Sequence, residues 1–563
     1  MTRPTVLLSI ALASVLSVAS AAAQTGPTLE RITPDEIDAH LRFLSSDLLE
    51  GRAPATRGGR ITEEYIAAQL RTFGVKPGVG DTSYFQRVPI DVVKADPATI
   101  KIAASGKATG NLRFTEDVVV WPGSATDASS ARGELVFIGY GAVAPEYKWD
   151  DFKNADLRGK ILLVLVNDPP APASEPNLFG GKAMTYYGRW TYKFEEAERR
   201  GAAGMLIVHT PGPAGYPWSV VVNSWSNEQR LLPRDLPSAS GHPHVIGAPA
   251  PAPIGVRGWI TDSAASALLA RAGLNMAELR RQAESRDFRP VATGIIIDAS
   301  MKNTVQHLSA NNVVGLIRGI DPKLRDEYVA YSAHWDHFGI GKVVNGDSIY
   351  NGTVDNASGV ASVLTIAHAA SEGVKPRRSQ LFVFVTAEES GLLGSAWFGQ
   401  NPTVPVSKIV AALNMDVVTL AGRVRDLNVL GENKSTLGPI LGRLVTSDGI
   451  RISPDPRPEV GSFYRSDHFS FAKAGIPAIS IGAGIDYVDR PAGWGQQQTA
   501  DYTAKRYHQP SDEYRPDFDL TGAAQLARIV YRLGFSLGNS DTVPTWNADA
   551  EFKAMRDASR KGN

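Results

Sequence analysis

The 563-residue sequence contains no cysteine, which excludes disulfides, thiolate nucleophiles, Cys-held metals and the lipid-modified Cys that tethers exported lipoproteins. Any metal must therefore be held by His, Asp and Glu. Neither sign of charge is in excess, since 58 Lys and Arg face 58 Asp and Glu. A chain of zero net charge lacks the electrostatic footprint of a nucleic-acid binder, so no nucleic-acid partner is expected. No GxSxG elbow follows a strand-like run, which weighs against a serine hydrolase. Past residue 23 no apolar run is long enough to span a membrane.

What is present is ordinary globular material: 43% hydrophobic and 21% charged residues can bury a sizeable core. Residues 1–23 stand apart. Arg3 supplies a positive start, Val6 to Val18 is apolar with scattered Ser, and Ala21-Ala22-Ala23 offers a small-residue cleavage site before Gln24. This pattern reads as a secretory signal peptide, giving an exported, periplasmic or secreted protein with no membrane anchor after cleavage. A retained anchor is the competing reading, but the apolar core is short and interrupted by Ser.

The remainder divides into textures. Thr33 to about Pro89 is helical in pattern, with Thr33 and Thr62 as expected N-caps and Gly74 as a stop. GELVFIGYG and GKILLVLVND, between Gly133 and Asp168, read as strands; Arg189–Arg200 reads as a helix and Gly204–His209 as another buried strand. Beyond the Pro-rich stretch Pro249–Pro253, Asp262–Arg286 is again helical. From Asn311 onward apolar runs alternate with helical ones, which implies a mixed, mostly parallel sheet with helices on both faces. The expected organisation is a signal peptide (1–23), the N-terminal part of a catalytic domain (24–129), a β-rich insert (130–292), the main catalytic domain (293–540) and a C-terminal tail (541–563).

In parallel α/β sheets, ligands bind beyond the carboxyl ends of the strands. Here EYVAYSA runs into His334-Trp335-Asp336-His337, GTVDNASG brings Asp355, QLFVFVT ends at Glu388-Glu389, and IVAALNM ends at Asp416. Singly, such a carboxylate reads as a helix cap and such a His as a hydrogen-bonded structural residue. Together on one sheet edge they would repel one another, and a dication is the simplest neutraliser. Of the ten His, His368 sits among apolar neighbours as a structural residue and His242 and His244 lie in a Pro/Gly loop. His468 and His508 both remain open as a further ligand.

The words HWD (334–336), GTVDNASG (352–359), AEESGLLGS (387–395), NMD (414–416), SDHFSFAKAGIPA (466–478) and YHQPSDEY (507–514) resemble, in order and spacing, the M28 family of dizinc aminopeptidases. The stretch from Gly133 to Val164 and GAAGMLIVH resemble the protease-associated (PA) domain often inserted in that family. The resemblance implies two Zn2+ ions bridged by Asp355. His334 and Asp416 would complete one site, and Glu389 and His508 the other, His468 then becoming a structural or supporting residue. It further implies Glu388 as general base, Asp336 as the carboxylate that orients His334, a cis peptide at Asp355-Asn356, and Tyr507 as the donor to the oxyanion, against a plain packing role for that Tyr. His337 either touches substrate or hydrogen-bonds its loop. Trp335, Phe338, Phe463, Tyr464 and Tyr487 either wall a side-chain pocket or belong to the core.

The expected activity is removal of the N-terminal residue from peptides with a free amine, and the insert is expected to cover one side of the cleft and restrict access to short peptides. Related carboxypeptidases and glutaminyl cyclases share the lobe and remain the enzymatic alternatives. A metal-free PA-domain binding protein is the non-enzymatic one.

Overall fold

A computed structural model describes residue 26, residues 28–233 and residues 252–561. The expected signal peptide, His242 and His244 lie outside the described residues. The chain opens with helix Pro34–Leu44, capped as expected by Thr33, whose Oγ1 accepts from Glu36 N at 3.2 Å. The second helix, Arg57–Thr72, corrects the sequence reading: its cap is Thr56, which accepts from Gly59 N at 3.2 Å, while Thr62 lies inside the helix and donates to the Gly58 carbonyl at 3.0 Å. Gly58 and Gly59 look like helix breakers, yet they serve close approach. A Cβ on Gly58 would stand 1.8 Å from the Leu49 carbonyl oxygen, and one on Gly59 2.3 Å from that of Ala53.

Two sheets share the 27-residue strand Val291–Ile317. Its C-terminal half pairs antiparallel with Phe85–Ala95 on one side and with Ser379–Val385 on the other. From Ser379–Val385 the sheet continues through parallel strands Tyr328–His334, Ile409–Asn414 and Ala478–Ala483, then an antiparallel strand Asp426–Leu430. All residues of Tyr328–His334 and Ser379–Val385 are buried, as continuous apolar runs require when both faces are covered. Val329, Tyr331 and Ala333 face the core with helices Ser358–Glu372 and Thr521–Asn539, whereas Tyr328 and Ala330 face the core with helix His468–Lys473. The carboxyl ends of the parallel strands consequently emerge along one edge, at His334, after Val385 and after Asn414.

The other half of Val291–Ile317 pairs with Ala128–Phe137, from which parallel strands Ile161–Leu165, Gly204–His209 and Val256–Thr261 follow, closed by antiparallel Val118–Pro122. Lys101–Gly106 joins the same sheet, ahead of residue 130. Helix Trp190–Arg199 covers one face of it. The segment from Asp262 forms two helices, Asp262–Arg271 and Met276–Ala283, that cover the other. They part at Gly273, whose φ of +80° suits glycine, and Asn275 caps the second by accepting from Glu278 N at 3.0 Å. This unit docks on the larger one through Lys473, which donates to Glu195 at 2.8 Å, and through Met184 N, which donates to the Pro458 carbonyl at 3.0 Å. Its return strand Gln229–Leu231 pairs with Asp91–Val93 and carries Arg230, whose Nη1 donates to Ser390 Oγ at 3.3 Å.

Candidate metal centre

The sheet edge gathers the side chains that the strand ends deliver. His334, 1% exposed, places Nε2 at 3.2 Å from Asp355 Oδ1 and 3.3 Å from Asp416 Oδ1. His508 places its own Nε2 at 3.3 Å from the other Asp355 oxygen, Oδ2, and 3.4 Å from Glu389 Oε2. The Asp355 carboxylate is thus turned so that each oxygen serves a different group of ligands. A third imidazole enters the second group: His337 Nδ1 lies 2.6 Å from Glu389 Oε1. Candidate ligand atoms of His334, Asp355 and Asp416 fall within 4.8 Å of one another, as do those of His337, Asp355 and Glu389.

These contacts are close without being satisfied. His337 Nδ1 and Nε2, Glu389 Oε1 and His508 Nε2 are buried and have no partner in hydrogen-bond geometry among the described residues. Buried polar atoms almost always find partners, so donors and acceptors that crowd yet do not bond are oriented toward something else. The donor set, imidazole nitrogens and carboxylate oxygens without sulfur, suits Zn2+. The electrostatics agree. Burial opposes the charged form of His508, but Glu389 and Asp355 outweigh it and hold His508 up at about 9. Burial, with Glu389, Asp467 and Asp416 crowding it, pushes Glu388 well above the usual carboxylate range. The edge is an anionic cluster short of positive charge, and the residues present fit a pair of dications.

Each ligand is held from behind. Asp512 accepts the backbone N–H groups of Val354 and Asp355 at 3.1 and 3.2 Å and fixes the turn that presents Asp355; the Asp355-Asn356 peptide is cis. Ser466 Oγ donates to Asp416 Oδ2 at 2.5 Å. The fully buried Arg52 guanidinium donates to the carbonyls of Trp335 and Gly352, both at 2.9 Å, and ties two ligand loops together. Asp336 accepts the Glu388 N–H at 3.0 Å, while its carboxylate is 3.8 Å from His334 Nδ1, which instead meets the Asp336 backbone carbonyl at 3.2 Å. Three residues at the ends carry positive φ without being glycine: Ala387 (54°), Val417 (53°) and His508 (58°). Sparsely populated backbone held at several neighbouring points is typical of sites that must aim side chains.

The remaining sequence candidates separate. His468 is fully buried on its helix, edge-on to Phe463 with ring centroids 4.8 Å apart, and burial lowers it to about 4. Trp335 is fully buried and donates Nε1 to the Asn311 carbonyl at 3.0 Å. Phe463 and Tyr464 pack around Lys434. Phe338 lies edge-on to His508 at 4.7 Å, and Tyr507 stacks on the same ring at 3.7 Å while remaining 41% exposed. Tyr487 lines, with Val417, Thr419, Trp494 and Tyr502, a cavity of about 540 Å³ that begins at Asp416. Sequence reading passed over His337 as a ligand and over Ser466, Asp512 and Arg52 altogether. The first could have been found from its i+3 spacing to His334; the last three act on backbone and carboxylates far from them in sequence and leave no local pattern.

Residues 312–533 match peptidase family M28. This part of the chain is an M28 peptidase domain. Among curated proteins, leupeptin-inactivating enzyme 1 of Streptomyces exfoliatus is 28% identical over 205 residues, which is 35% of this chain and 45% of that protein. The probable leucine aminopeptidase 2 of Aspergillus oryzae is 26% identical over 253 residues, 43% of this chain and 46% of that protein. The chain therefore spans a little under half the length of these relatives. Among solved structures, the aminopeptidase from Aneurinibacillus sp. strain AM-1 aligns over 90% of this chain and 95% of its own, at 18% identity and a TM-score of 0.49. Residues 312–533 contain every candidate ligand described above, while the supporting Arg52 lies outside them. Among the described residues no helix is long and apolar enough to cross a membrane.

Proposed function

We propose that the protein is an exported aminopeptidase that removes the N-terminal residue from peptides, using two zinc ions and a glutamate base. The observation that carries this reading is the Asp355 carboxylate, whose two oxygens face His334 with Asp416 on one side and His508 with Glu389 on the other. One ion would be held by His334, Asp355 and Asp416, the other by Asp355, Glu389 and His508, with His337 within reach of the second. When bound, such a pair supplies Lewis acidity that acidifies water and polarises a carbonyl.

The chain's own groups account for the proton traffic. Glu388 follows Ala387 and adjoins Glu389 in the turn after strand Ser379–Val385, which brings both carboxylates to the cluster. Glu388 takes the proton of the attacking water and returns it to the leaving amine. Tyr507, stacked on His508 with part of its ring open to the cleft, donates to the negative oxygen that develops at the carbonyl. Asp336 holds the backbone N–H of Glu388 and thereby sets the position of the base. The unit built on Ala128–Phe137 and its neighbours is read as a PA-type insert, and the N-terminal export signal is read from residues 1–23 as above.

Metal content of the purified protein, measured together with turnover of a panel of aminoacyl p-nitroanilides, tests the reading. Two zinc ions per chain and hydrolysis that is lost when the substrate amine is blocked are the expected results. One zinc with cyclisation of N-terminal glutamine, or turnover indifferent to the amine and dependent on a free carboxylate, would replace it by a cyclase or a carboxypeptidase.

A further inference from the structure

Beside the metal cluster, three side chains that can only donate or are left without an acceptor stand together from the two units, two of them, Arg189 and Tyr216, with a buried donor unpartnered among the described residues. Arg189, at the start of helix Trp190–Arg199, is 8% exposed and its Nε has no partner. The Tyr216 hydroxyl is likewise buried without a partner, although its residue is anchored by a 3.1 Å contact between its carbonyl and His209 Nε2. Arg465, from the M28 domain, donates Nε to the Val460 carbonyl at 3.1 Å. Its Nη2 lies 3.6 Å from the point a Cβ on Gly215 would occupy, so the guanidinium rests against the turn that carries Tyr216.

The two guanidiniums act on each other and on tyrosines. Burial and the like charge of Arg465 hold Arg189 down at about 10, with Tyr216, Tyr186 and Tyr464 as the opposing influences. An uncompensated buried cation such as Arg189 is unfavourable, and the like charge of the solvent-exposed Arg465 facing it adds to the cost. Two guanidiniums and a phenol offer donors only, in the fork geometry that carboxylates match. The place is informative as well: Arg465 immediately precedes Ser466, which holds Asp416.

Resting on the aminopeptidase reading, we propose that Arg189, Tyr216 and Arg465 bind the C-terminal carboxylate of a short peptide substrate, so that the insert selects dipeptides and tripeptides. An extended chain advances roughly 3.3–3.6 Å per residue, so a carboxylate anchored beside the metal cluster limits how many residues can follow the reacting bond. The smaller unit then belongs to the substrate site rather than standing apart from it.

The test compares Leu-Gly, Leu-Gly-amide, Leu-p-nitroanilide and Glu-p-nitroanilide with the wild-type protein and Arg465→Gln. A charged hydrogen-bonded contact predicts about a 10- to 100-fold higher kcat/KM for Leu-Gly than for its amide, falling toward one in Arg465→Gln and in Tyr216→Phe to a smaller degree. N-Acetylglycine, which keeps the carboxylate and lacks the amine, should raise the melting temperature of the wild type and not of Arg465→Gln. Hydrolysis of the anilide with Leu-Gly and its amide cleaved alike overturns this proposal and leaves the aminopeptidase reading standing. An Arg465-dependent shift with N-acetylglycine in a protein that hydrolyses none of the four does the reverse. An Arg465-dependent preference for the Glu anilide alone would overturn it too, since the site would then hold a side chain.

Discussion

Two clusters of buried charge, one at the edge of the M28 sheet and one inside the smaller unit, are both built around buried carboxylates and differ in what completes them. In the smaller unit, Asp151 accepts from Ala142 N at 2.9 Å and from Trp149 Nε1 at 2.7 Å, and Asp168 accepts from Thr185 N and Oγ1, both at 2.7 Å. Lys193, fully buried, donates to the carbonyls of Tyr140 and Asn167, the latter at 3.1 Å. That cluster is closed on itself. At the sheet edge His337, His508, Glu389 and Asp467 hold atoms with no partner among the described residues. Burial alone does not mark a site; burial combined with unmet hydrogen-bonding capacity does.

Breaking the two clusters should therefore have opposite signatures. Glu388→Gln is expected to lower kcat by about 10³-fold or more while zinc content stays at two per chain. Asp355→Ala is expected to lose both zinc ions, because one carboxylate serves both groups. In the metal-free protein the same change loses only the Asp355 contacts to His334 and His508 and should cost less than breaking the closed cluster. Zinc analysis and urea titration of the chelated protein check this; a large loss of metal-free stability in Asp355→Ala would mean that the edge is as self-satisfied as the other cluster. In contrast, Lys193→Met strands two carbonyls and nearby Asp151 and Asp168, and should cost about 3 kcal/mol in the same titration. A neutral result would remove the basis of the comparison.

A third buried group lies in neither cluster and responds to pH. His40 is 5% exposed, its Nδ1 lies 2.8 Å from the Tyr65 hydroxyl, and burial, helped by the charge of His368, lowers it from 6.5 to about 4. Between those values the unfolded chain binds the proton more readily than the folded one. Stability is therefore intact above pH 6.5 and is lost as pH falls toward 4, by up to about 3 kcal/mol. His40→Gln should flatten the dependence of melting temperature on pH across that window. An unchanged slope would assign acid sensitivity to other groups.

The legible part of this architecture follows from how its parts are encoded. The parallel sheet could be read because its strands are buried on both faces and appear as unbroken apolar runs, and His334, Glu388, Glu389 and Asp416 because each stands where such a run ends, while Asp355 stands in the turn just before helix Ser358–Glu372. His508 required the YH word, since Trp494–Lys505 separates it from its strand by a polar helix. Arg52, Asp512 and the Arg189, Tyr216 and Arg465 trio had no local signature: their meaning lies in which backbone or side chain they meet across the fold. Lys101–Gly106, with only two of its six residues buried, resembles a surface segment until Val291–Ile317 is seen to pair with it.

The start of the second helix shows the same limit on a small scale and yields the smallest expected effect. Thr62 precedes Glu63 and Glu64 and a periodic apolar run, which is how a cap reads from sequence. The helix begins at Arg57 because Gly58 and Gly59 can lie against the carbonyls of Leu49 and Ala53, where any Cβ would collide. The surface they pack on, rather than their weak helix propensity, decides their conformation. Thr56→Ala should accordingly lower stability by about 1 kcal/mol through loss of the bond to Gly59 N. Thr62→Val, which keeps the shape and removes a hydroxyl that only donates back to its own helix, should cost less. The reverse order in urea titrations would return the cap to Thr62 and the Gly-Gly pair to a loop.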